Sequence, residues 1–151
     1  MPTKSYRQLK ILGRSRVFSK LFLHVLLNHV TMDGTQICRE IADLHDSIVG
    51  TEIVEKGVTI AAHVKSGTLT KLEKLFIQTE FYMNVLSTNA EHLGRPHYLL
   101  AHNDSTDLFF FPIVVNGRKM ILVVRASVPY NHEEIINKMR EYIGRLRLGY
   151  H

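Results

Sequence analysis

Nine histidines are the most numerous side chains here able to do chemistry near neutral pH, since imidazole both binds metal ions and moves protons. Their spacing gives no metal-binding pattern. His92, His97 and His102 stand five residues apart, and the last two, in one strand, would point to opposite faces. His24 and His29 are also five apart, whereas a helical metal pair needs i and i+4. With no histidine–carboxylate set at zinc-like spacing, satisfied or surface histidines are expected, and neither a metal nor a cofactor. Gly50, Gly57 and Gly67 lie too far apart for G-x-G-x-x-G, and no G-K-[ST] occurs, which excludes a P-loop nucleotide hydrolase. Cys38 is followed by Arg39, which could lower its pKa, but its place beside Ile37 on a short helix favours a buried, inert thiol. Asp104 and Asp107 flank a turn and read as turn formers. Glu133 and Glu134 open a helix, where capping and the helix dipole explain them. No residue is left that needs a catalytic role, and the chain reads as a binding protein without enzymatic activity.

The charge pattern narrows the partners. The net charge is +5, but Lys4, Arg7, Lys10, Arg14, Arg16 and Lys20 fall within residues 1–31, which hold no acid. The other 120 residues carry thirteen basic and fourteen acidic side chains and are nearly neutral. Nucleic acid or a membrane surface would therefore be engaged only through residues 1–31. That segment, with its apolar run VFSKLFLHVLLNHV, has three readings: an amphipathic helix for a membrane or partner, an extra docked helix, or sequence upstream of a true start at Met32. Residues 32–151 form the domain. One cysteine allows no intrachain disulfide, and no apolar run reaches about 20 residues, so a cytoplasmic protein is expected.

The elements that would position any site follow from periodicity and turn chemistry. Asp33 with Gln36 reads as a capping box opening a short helix, with Ile37, Ile41 and Leu44 on one face. Two β-branched runs, Ser47–Glu55 and Val58–Val64, meet at Lys56-Gly57 as a hairpin. In the second run Val58, Ile60, Ala62 and Val64 alternate with Thr59 and His63, as in a strand with one wet face. Thr70 with Glu73 caps a helix of about six turns, which Gly94-Arg95-Pro96 ends near Leu93. Strands are predicted at His97–Asn103, Leu108–Val115 and Lys119–Ala126, the last two joined by Asn116-Gly117. Pro112 should mark a bulge or a strand end. Asn131 with Glu134 caps a final helix with Ile135, Met139, Tyr142, Ile143 and Leu146 on its apolar side. The order α-β-β-α-β-β-β-α includes the runs LFFFPIVV and MILVVRA, apolar on both sides. Such strands need cover on both faces, so the fold class is α+β: a central five-stranded antiparallel sheet with helices on each side.

The long helix has two apolar faces. Leu72, Leu75, Phe76, Thr79, Met83, Leu86, Ala90 and Leu93 lie within about 60° of one line and would pack on the sheet. Ile77, Phe81 and Val85 fall on the opposite side, spaced i, i+4, i+8, and read as a dimer contact. Cover by the N-terminal segment is the alternative.

This order of elements resembles the roadblock family, related to profilin-like and longin-like folds, and looks closest to small archaeal members of no assigned role. The resemblance covers about Asp33 to Leu148 and rests on IVGTEIVEKGVTIAAHV, KLEKLFIQTEFYMNVL, and the meander YLLAHN, LFFFPIVV, NGRKMILVVRA before the closing helix. It implies dimerisation through the long helix and the neighbouring third-strand edge, which places Leu99 beside Ile77, Phe81 and Val85 in the interface. It also implies a scaffold or regulator of small Ras-like GTPases and motor complexes. A small-ligand sensing domain of the PAS-like or profilin-like type, with a pocket between sheet and helix, is the alternative. The Phe109-Phe110-Phe111 row, which would fill that interior, argues weakly against it.

Overall fold

The computed structural model describes residues 33–148, so the readings of residues 1–31 lie outside the described residues. Helix α1 (Gly34–Ala42) is followed by β1 (Ile48–Glu55), β2 (Val58–Val64), α2 (Glu73–Thr88) and the one-turn α3 (Ala90–Leu93). Strands β3 (Leu99–Ala101), β4 (Thr106–Val115) and β5 (Arg118–Ser127) then lead to α4 (His132–Leu148). The five strands form one antiparallel sheet in the order β2-β1-β5-β4-β3, with helices on both faces. Both tight hairpins put two residues at positive φ, Lys56 with Gly57 and Asn116 with Gly117. This is the turn whose twist matches its flanking strands. A Cβ at Gly57 would also stand 2.3 Å from the Ile77 side chain, so glycine is required there twice over.

Strand alternation sorts the core into two layers. On one face Val54, Leu108, Phe110, Ile121 and Val123 pack with Phe76 and Met83 of α2. On the other, Phe109, Phe111, Leu122, Val124 and Ile53 are buried together with Ile37, Cys38 and Ile41 of α1 and Ile135 and Met139 of α4. Thr51 ties α1 to the sheet by donating its hydroxyl to the Cys38 carbonyl at 2.6 Å. Across the sheet, Glu52 and Arg125 make a buried ion pair, and Arg125 also donates to the Thr70 carbonyl at 3.0 Å.

The structure corrects several local expectations. Asp33 does cap α1 by accepting from the Thr35 N–H, but Gln36 bonds Glu40 rather than reaching back. The Thr70–Glu73 box is absent: α2 begins at Glu73 without a side-chain cap, while Arg125 holds the Thr70 carbonyl outside the helix. Asn131 does cap α4 by accepting from the Glu133 N–H, but Glu134 pairs with Lys138 and His45 rather than closing the box. The long helix is also shorter than predicted. Asn89 and Thr88 both donate side-chain hydrogen bonds to the Val85 carbonyl at 2.8 Å, competing with the backbone ladder, and α2 stops at Thr88.

In the sheet, β3 is only three residues long, because the chain turns at His102 and Asn103 toward Asp107. Pro112 lies inside β4, in unbroken register with Ile121 of β5. It is tolerated because β3 pairs no farther than Phe110, leaving the β4 edge beside Pro112 without a neighbouring strand among the described residues. The irregularities fall instead at Val49 of β1, in its pairing with β5, and at Ile60 of β2, which lies unpaired between Thr59 and Ala61 opposite β1. That shift breaks the alternation of β2, where Val58 and Ile60 are half exposed rather than buried.

Two outcomes test this packing. Burial raises the Cys38 thiol to about 11, so at pH 8 it should resist a thiol reagent in the folded chain and react once per chain in denaturant. Rapid labelling of folded protein would contradict the placement. Thr51→Val should cost about 1–2 kcal/mol in urea unfolding, since the Cys38 carbonyl loses its buried donor. An unchanged midpoint would show that the bond contributes nothing.

Candidate functional site

Among the described residues, helix α2 lies alone on its face of the sheet, and its burial pattern is one-sided. Phe76, Thr79 and Met83 are buried against the sheet; Leu72, Leu75 and Leu86 are partly buried; Leu93, predicted to share the stripe, is 70% exposed on the separate turn α3. Ile77 is 56% exposed, Phe81 69% and Val85 39%. Tyr82, which the spacing along the helix did not single out, widens this line with 54% exposure. Ile77 is not wholly free, because its flank rests against Gly57 at the β1–β2 turn. Glu80 fixes the same junction by accepting from the Gly57 N–H at 3.2 Å. Leu99 sits apart from the exposed line: it is half buried on the core beneath α2, in the edge strand β3. The outer side of β3 has no partner strand among the described residues.

A cleft of about 460 Å³ opens between the C-terminal half of α2 and the β4–β5 end of the sheet. Met83, Pro112, Ile113, Met120 and Ile121 form its apolar wall, with Glu55, Glu80 and Arg118 among the polar groups around it. Arg118 is paired with Glu55 at 2.5 Å. The three phenylalanines of β4 are all buried, yet they do not fill this end of the α2 face.

The opposite end of the sheet gathers polar groups. Asp107 is fully buried, not the surface turn former that its neighbourhood implied. Its Oδ1 accepts from the Asn103 N–H at 2.9 Å and lies 2.8 Å from His102 Nδ1. Its Oδ2 accepts from the Tyr130 hydroxyl at 2.5 Å and lies 2.9 Å from His132 Nε2. Burial pushes the carboxyl pKa up, but the hydrogen bonds from Tyr130, Asn103, His132 and His102 outweigh it and hold the group well below the usual carboxylate range. Burial and the same carboxylate push the Tyr130 hydroxyl up, so it stays a donor. Spacing along the chain could not reveal this cluster, because the whole β4–β5 hairpin separates His132 from His102. A signal was present only in composition: Tyr130, Asn131 and His132 stand together shortly after a strand.

No protein-family model matches the sequence, and no curated protein matches it. Solved structures do. MglB of Myxococcus xanthus superposes with a TM-score of 0.57 at 15% identity, over 74% of this chain and 83% of that one. A Roadblock/LC7 domain from Streptomyces avermitilis gives 0.58 at 12% identity, over 78% and 97%. The gliding protein MglB of Thermus thermophilus gives 0.60 at 11%, over 77% and 87%. At such identities the likeness carries architecture and nothing finer. Element order, sheet order and helix placement together give this chain the roadblock/LC7 fold.

Proposed function

We propose that this chain is a non-enzymatic homodimer that acts as a scaffold or regulator by binding partner proteins, a small Ras-like GTPase among them. The single observation behind the proposal is the line Ile77, Phe81 and Val85, exposed on the outer side of the one described helix that covers its sheet face. A large apolar row of this kind gains by meeting another surface, and a second copy offers the same row in reverse, as a two-fold contact requires. The edge strand β3, with Leu99 beneath α2, is the neighbouring place for the two sheets to join. One structurally similar protein, described as MglB with a tetrameric arrangement, agrees with self-association in this fold. The GTPase partner rests on the family resemblance.

A second reading is favoured by the cleft beside Met83 and Met120, whose size suits a small ligand. In that case the domain senses a small molecule held between α2 and the sheet. Native mass spectrometry of the purified chain should then show a bound mass, whereas the bare polypeptide mass would leave the scaffold reading in place.

The dimer is tested by Phe81→Glu, followed by gel filtration with light scattering. Wild type should elute as a dimer, and the substitution should raise the dissociation constant by about 30-fold or more, about 2 kcal/mol. The melting temperature extrapolated to the monomer should barely move, because Phe81 is mostly exposed within one chain. A mutant that dimerises as tightly as wild type would reject the interface. Co-purification from native cell extract would then identify the partner, and recovery of no GTPase would remove that part of the proposal.

A further inference from the structure

The polar cluster around Asp107 has more donors than a structural lock requires. The Asn103 N–H and the Tyr130 hydroxyl already give each carboxylate oxygen one hydrogen bond. His102 and His132 are therefore additional, and both remain open to solvent, with side chains 66% and 41% exposed. One imidazole comes from the turn after β3, the other from the first turn of α4, and the carboxylate from the start of β4. Ligand atoms of all three lie within 4.8 Å of one another.

We propose that His102, Asp107 and His132 form a binding site for a divalent transition-metal ion of borderline softness, with zinc and cobalt as the probes. Two imidazole nitrogens and one carboxylate oxygen are a donor set that such ions prefer over magnesium or calcium. Three protein ligands leave at least one position for water or for a group from a partner. Around a four-coordinate ion with bonds of about 2.0–2.1 Å, ligand atoms stand about 3.3 Å apart. His102 now faces Oδ1 at 2.8 Å and His132 faces Oδ2 at 2.9 Å, while the ligand atoms lie within 4.8 Å of one another. Coordination through one oxygen would therefore shift the rings by about 0.5–1.5 Å, a movement within reach of two solvent-open side chains. On binding, each ring nitrogen that now faces the carboxylate presents a lone pair to the ion, and any proton it carries leaves to solvent.

The surroundings suit this role. Asn103 N–H and Tyr130 Oη–H hold the carboxylate, one at each oxygen, as outer-shell groups do in metal sites. The N-terminus of α4 opposes a cation by its dipole, and the buried negative charge of Asp107 offsets that field at close range. The two rings meet edge to face with centroids 5.6 Å apart, so their nitrogens can converge without the rings colliding. The inference does not depend on the dimer, since every ligand comes from one chain.

The test uses the full chain, stripped with a chelator, in a buffer that does not bind metals. Isothermal titration and native mass spectrometry with Zn2+ should show one ion per chain lost from the double variant His102→Ala/His132→Ala, and the Co2+ form should show visible absorption that the same variant lacks. Affinity should fall by at least about tenfold in each single variant. His92→Ala/His97→Ala should bind as wild type, which separates this site from general histidine affinity. Zn2+ should also raise the melting temperature of wild type and leave the double variant unmoved. Because both rings are exposed, that variant should fold; if it does not, His132→Gln alone must still lower the affinity. Absence of stoichiometric Zn2+ binding in wild type, or equal binding by the variants, would overturn the proposal.

Discussion

A sheet whose central strands are apolar on both sides must be roofed twice, and the two roofs of this domain are unequal. Five strands at about 4.8 Å spacing make a surface about 20 Å across, while a helix covers about 10 Å. On one face α1 and α4 share the work, and Phe109, Leu122 and Val124 beneath them are fully buried. On the other face, among the described residues, α2 works alone. It covers Val54, Phe110, Ile121 and Val123 and leaves Val114 more than half exposed at the margin. The exposed row on its outer side, the cleft at its C-terminal half and the bare edge of β3 are three aspects of this single shortfall.

Polar chemistry is placed where the shortfall ends. The buried Glu52–Arg125 pair occupies the α2 face of β1 and β5, and through the Thr70 carbonyl it also fixes where α2 begins. A buried ion pair of this kind adds little net stability, but losing one partner strands the other charge. Its evident structural effect is to position the helix. Asp107 does the equivalent at the far end of the sheet, holding the β3–β4 turn and the start of α4 by four contacts to one carboxylate. In both places a charged group links segments that are remote in sequence.

This division explains what could be read from the residues. The element order, the two-sided sheet, the Asn116-Gly117 turn and the outward row on α2 are local or periodic signals, and all are legible along the chain. Element ends were less so, because tertiary groups decide them. Arg125, far from Thr70 in sequence, sets the start of α2. Crowding of side-chain donors on one carbonyl sets its end at Thr88. The β2 alternation looked like a half-buried strand, but the irregular pairing with β1 turned its apolar groups outward. The Asp107 cluster was illegible for a deeper reason. Its members come together only when β4 and β5 pair, and each alone has an ordinary local explanation.

The shortness of β3 limits what can pair along its edge of the sheet. Beyond Phe110 the outer side of β4 is uncovered by any described strand, a length of backbone that would otherwise template fibril growth. Pro112 stands in that stretch and removes one donor from it. At this edge of the sheet an incoming strand therefore finds a docking ledge only as long as Leu99–Ala101 and nothing regular to zip along afterwards. The same ledge that would admit one neighbour in a closed pair is too brief to seed an endless ribbon.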